Sequence, residues 1–212
     1  MSRTKVAPPS AKSASPTRQQ LHELVWEALE TELGGVEIYR TALQCVENED
    51  LRDEWTRYLA QTEEHVRALQ DVCADVGLDP DQDTPGRAVV RHIGRSLVQA
   101  MNMALGSDDP AAAEIVAAEC VALAESKDHL NWSLIGQLLE TDGEGLDSLA
   151  AAQERIENEE DAHLYHAQGW ARELWLKSLG QDAALPPPEE VEDVHSMAEA
   201  ATARQTREQE PT

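Results

Sequence analysis

Residues 157–166 read ENEEDAHLYH. On a helix turning about 100° per residue, these four carboxylates and two histidines cannot share one face. Glu160 and His163 fall between Ile156 and Ala167, on the face of Gln153 and Trp170. Glu157 and Glu159 belong with a solvated acidic surface, and His166, about 90° from the centre of the stripe, marks a flank. One apolar stripe is therefore interrupted by a carboxylate and an imidazole, and both fold and function turn on what these two groups meet.

Apolar residues around this stretch recur at helical intervals, placing a helix from about Leu146 to Gly180. The same periodicity predicts a helix from an N-cap at Thr17 to about Val46, interrupted by Gly34 and Gly35. Each glycine costs about 1 kcal/mol there, which is explained if a neighbouring helix approaches closely. A second helix is expected from about Asp50 to Gly77. After the loop LDPDQDTPG, a shorter amphipathic helix covers RAVVRHIGRSLVQAMNMAL and closes at Gly106, with Met101 and Met103 as ordinary packing. Asp109 as N-cap and Pro110 at the first helical position open a further helix reaching about Glu140. β-Branched residues are scarce and Ala, Leu, Glu and Gln abound, so no strands are expected. The fold class is all-α: two helical hairpins, with residues 18–181 as one bundle and a long, helix-containing crossover between the second and third long helices. Residues 1–17 are expected to form a disordered leader, and residues 182–212 an acidic, largely disordered tail with at most a short helix near Met197.

Two more carboxylates interrupt apolar stripes. Glu32 is flanked at seven-residue steps by Val25 and Tyr39, and Glu125 lies among Ala118, Val121, Ala122 and Trp132. A lone buried carboxylate costs several kcal/mol or takes up a proton. Three of them in mid-helix, at depths that can converge, call for a cation. The spacing also repeats: Glu32-x6-Tyr39 matches Glu125-x6-Trp132. Each Glu is followed by a histidine on the next helix, His65 after 33 residues and His163 after 38. Tyr39 and Trp132 read as core residues.

These motifs, with the phrase LAQTEEHVRAL and Glu160-Asp-Ala-His163, resemble the ferritin-like superfamily of dinuclear metal-carboxylate bundles. The layout is nearest to its YciF-like (DUF892) and rubrerythrin-like members. The resemblance spans about residues 18 to 179 and implies an antiparallel four-helix bundle that binds two iron or manganese ions, bridged by carboxylates and reacting with oxygen or peroxide. It also implies Fe(II) oxidation or peroxide removal in stress protection. One position departs from the pattern: where the resemblance expects Glu three residues before His65, the chain has Thr62. Gln61, Glu63 and Glu64 point too far around the helix to replace it, whereas His129, one turn after Glu125, is placed to compensate. The expected ligand set is Glu32, His65, Glu125, His129, Glu160 and His163, three carboxylates and three imidazoles that could hold two ions, one or none. Whether such a protein is an oxidase or ferroxidase, or a non-catalytic stress or structural bundle with a degenerate site acting through protein partners, stays open at this level.

Composition narrows the partners. The chain carries 41 acidic and 17 basic residues, a net charge of -24, and four of the basic residues fall within residues 1–18, where no acidic residue occurs. Metal ions suit this field, while nucleic acid and anionic membrane surfaces do not. Cys45, Cys73 and Cys120 form no C-x-x-C pair, and no long apolar run or secretory leader is legible, so a reducing cytoplasm is expected. His22, His92 and His195 have no recognisable partners. Pairing of helix faces into a homodimer, and docking of a protein partner on the tail, are further expectations.

Overall fold

The computed structural model describes residues 16–181. The expected leader up to residue 15, and the tail from residue 182 with its helix near Met197, lie outside the described residues. Five helices and no strand occur among those described: α1 (Pro16–Cys45), α2 (Glu49–Val76), α3 (Pro85–Leu105), α4 (Pro110–Asp142) and α5 (Asp147–Ser178). Helix α1 begins at Pro16, so Thr17 lies in its first turn rather than at its N-cap.

Local chemistry sets the boundaries. Asn48 Oδ1 accepts from the backbone N–H groups of Asp50 and Leu51 and so caps α2, which ends on Gly77 in the left-handed conformation at φ 72°. Thr84 caps α3 by accepting from Arg87 N. Asp109 caps α4 by accepting from Ala112 N, with Pro110 in the first turn.

The long helices form a bundle. α1 packs on α2 and α4, α5 packs on α4 and α2, and α3 lies against α1 and α4. Where α3 crosses α1, glycines meet: a Cβ added to Gly94 would lie 3.6 Å from Gly34 Cα. Gly35 faces α2, where a Cβ would come within 3.2 Å of Thr62 Cγ2. Both glycines singled out in the sequence thus serve close helix contacts. Buried Glu30 also ties α3 to α1 by accepting from Arg87 and Arg91. Met101 is fully buried, whereas Met103 is exposed, so the two do not form one packing stripe.

The core is divided. One apolar cluster gathers Tyr39, Trp55, Tyr58, Met101, Val121 and Trp170. The other gathers Leu29, Leu69, Trp132, Ile135, Leu149 and Ile156. On every long helix a polar side chain stands in sequence between members of the two clusters: Glu32 on α1, His65 on α2, Glu125 on α4, and Glu160 with His163 on α5. No described helix is long and apolar enough to cross a membrane.

Candidate metal centre

All five of these side chains are at least 95 % buried, and their ligand atoms converge. Glu32, His65 and Glu160 form one group, while Glu125, Glu160 and His163 form another, each with ligand atoms within 4.8 Å of one another. Glu160 belongs to both. Its Oε1 lies 3.0 Å from His65 Nδ1 and 3.2 Å from His163 Nδ1. His65 Nδ1 is also 3.4 Å from Glu32 Oε1, and His163 Nδ1 is 3.6 Å from Glu125 Oε2.

The surrounding hydrogen bonds orient these groups. His65 Nε2 pairs with Glu159 Oε2 at 2.7 Å, and His163 Nε2 pairs with Gln61 Oε1 at 3.0 Å. Donation from each Nε2–H leaves each Nδ1 lone pair directed at the carboxylates, the arrangement in which an imidazole serves as a ligand. Glu159 and Gln61 each stand four residues before the histidine of their own helix and bond the histidine of the other. The aromatic residues follow the same crossed rule: Tyr39 donates to Glu125 Oε1 at 2.7 Å, and Trp132 Nε1–H donates to Glu32 Oε1 at 2.9 Å. Each aromatic, seven residues after the glutamate of its own helix, orients the glutamate of the other. What remains without a hydrogen-bond partner is Oε2 of Glu32, Glu125 and Glu160, and Nδ1 of both histidines. Buried polar atoms are rarely left in that condition.

Comparison with protein-family models, curated proteins and solved structures found no match. The chemistry of the site therefore rests on its own geometry.

The electrostatics are those of charges forced together out of water. Burial opposes ionisation of Glu160, yet the imidazoles of His163 and His65 outweigh it and hold this carboxyl well below its usual range. Burial and the negative charge of Glu160 push Glu125 up to about 7, although His163 and Tyr39 pull against them. His163 is raised to about 9: burial lowers it, but Glu160 and Glu125 prevail. Burial likewise raises Glu32, against the pull of His65.

Three expectations change. His129 is not in either group of converging ligands; its Nδ1 lies 3.0 Å from Asp161 Oδ1 and its side chain is partly exposed. Glu159, expected to be solvated, supports His65. His166, expected on a flank, is buried, bonded through Nδ1 to the Tyr58 hydroxyl, and lowered to about 4 by burial with Arg57 and His163 nearby. Tyr39 and Trp132 are core residues that also bond the glutamates. Thr62 lies in the core as anticipated, its hydroxyl donating to Tyr58 O at 2.9 Å. The wheel also missed Asp128, a buried carboxylate three residues after Glu125 whose Oδ1 has no hydrogen-bond partner.

Proposed function

We propose that this chain is a ferritin-like antiparallel bundle holding two iron or manganese ions across Glu160, with Fe(II) oxidation or oxygen and peroxide chemistry as its activity. One observation carries the reading: a single buried carboxylate within 3.0 Å and 3.2 Å of two imidazole Nδ1 atoms whose opposite nitrogens are already engaged. The antiparallel layout is supported by the order of cross-helix pairs. Tyr39 meets Glu125 where Glu32 meets Trp132, and His65 meets Glu159 where Gln61 meets His163. The donor set fits the ions, since carboxylates suit manganese and imidazole suits iron.

In this reading Glu32 with His65 hold one ion, Glu125 with His163 hold the other, and Glu160 joins them. Bound there, iron or manganese supplies redox chemistry toward oxygen or peroxide. The chain's own residues neutralise charge, fix ligand orientation through the Tyr39 and Trp132 hydrogen bonds, and keep bulk water out by burial. Without an ion His163 holds its proton near neutral pH and Glu125 titrates there, so a cation would compete with protons for both groups. Partly exposed Glu159, against His65 Nε2, is placed to pass a proton outward.

Thr62 favours a second reading, in which the bundle is non-catalytic, its site is degenerate, and it acts through protein partners. Anaerobic loading with Fe(II) followed by admission of air separates the two. The first reading expects oxygen consumption tied to ferric absorbance, abolished in Glu160→Ala with His163→Ala. A protein that binds Fe(II) without accelerating its oxidation supports the second.

A further inference from the structure

Superposing the two hairpins by sequence register pairs Glu32 with Glu125, Tyr39 with Trp132, His65 with His163, Gln61 with Glu159, and Thr62 with Glu160. One further pair follows from the same register: Asp128, three residues after Glu125, matches Gly35, three residues after Glu32. The Gly35 Cβ direction meets Thr62, at 3.2 Å from Cγ2. One side of the centre therefore has Gly35 and Thr62, with no carboxylate, and the other has Asp128 and Glu160, with two. A carboxylate absent from α2 is present on α4.

We propose that Asp128 is the fourth carboxylate ligand of the centre and completes the cation site of Glu32, His65 and Glu160; this rests on the metal-binding reading above. Asp128 is 95 % buried, and its Oδ1 lacks a hydrogen-bond partner. A buried carboxylate without a partner is costly unless a cation offsets it. The groups that act on it are those of the site: Glu32, Glu160 and Glu125 raise its pKa well above the usual range, after burial itself, and His65 opposes them. Charge balance agrees. Two divalent cations against Glu32, Glu125 and Glu160 leave one positive charge in the core, and Asp128 removes it. In the arrangement described, Asp128 stands outside the two groups of converging ligands. The proposal therefore requires its carboxylate to close on the ion as that ion binds. The result is an asymmetric centre: the Glu32 half has four protein ligands, and the Glu125 half keeps three and an open position for a small oxidant.

The test is calorimetric titration of Mn(II) into the chelator-stripped full chain and into Asp128→Asn, with Asp128→Ser as a second variant and far-UV circular dichroism on all three. The expected result is two Mn(II) per wild-type chain and, in both folded variants, loss of one or at least tenfold weaker binding of one. The other ion should be retained. Two ions bound by the variants with unchanged affinity would overturn the role of Asp128 alone. A wild-type chain that takes up no Mn(II) would remove the metal-binding reading and this inference together.

Discussion

At the residue scale the centre is a set of buried charges held by crossed hydrogen bonds. Trp132→Phe leaves Glu32 Oε1 without its donor and is expected to cost about 1–3 kcal/mol, read by chemical denaturation of the chelated protein. The pH dependence follows from His163, raised from 6.5 to about 9. A histidine raised in the folded state contributes stability in full below its unfolded value, and that stability is lost as pH rises through the folded value. With chelator present, the melting temperature should therefore fall between about pH 6.5 and pH 9; a melting temperature rising across this range would contradict the assignment. Glu160, held below its usual range by the same imidazoles, acts in the opposite sense and loses stability only as pH falls below about 4.5. Metal affinity should rise over the window in which chelated stability falls, because the ion and the proton compete for His163 Nδ1. Much of this cluster was legible: Glu32, Glu125, Glu160 and His163 break apolar stripes, and the seven-residue spacing to Tyr39 and Trp132 marks the register. What a single-helix wheel cannot supply is the side from which the neighbouring helix approaches. From Glu125, His129 lies about 40° around the helix in one direction and Asp128 about 60° in the other. The buried seam runs on the Asp128 side, so the compensating histidine expected from spacing instead meets Asp161. The supporting roles of Glu159 and Gln61 were not legible for the same reason, since each bonds a histidine on another helix.

At the element scale, the crossover helix α3 is held by glycine contact and a buried ion pair as well as by an apolar face, on which Leu97, Val98 and Met101 join the core. A Cβ on Gly94 would lie at ordinary contact distance, 3.6 Å from Gly34 Cα. Gly94→Ala should therefore be neutral or stabilise by up to about 1 kcal/mol through helix propensity. Glu30→Ala leaves the Arg87 guanidinium buried without its carboxylate and should cost about 3–5 kcal/mol by urea denaturation. An undiminished unfolding midpoint would show that α3 is held by other contacts. The helices themselves were well marked, with Asp109 as a cap and Gly77 as a stop, whereas Asn48 and Thr84 lay inside stretches read only as a polar break and a loop, and Thr17 falls within α1. The glycines at 34 and 35 announced close approach but not the partner, because the docking of α3 on α1 depends on contacts from residues more than fifty positions away.

At the scale of the whole molecule, the polar layer splits the hydrophobic core in two, and its burial is unfavourable unless charge is balanced inside it. A cation that binds only the folded chain stabilises it by mass action. The melting temperature should therefore rise by several degrees on loading with Mn(II) and return with excess chelator, while a non-binding bundle would show no shift. The most direct measurement is elemental analysis of freshly purified protein beside Glu160→Ala with His163→Ala. The account predicts iron or manganese near two ions per chain in the parent, lost in the double variant that still folds. A parent chain isolated without metal that also fails to take up added Fe(II) would contradict it.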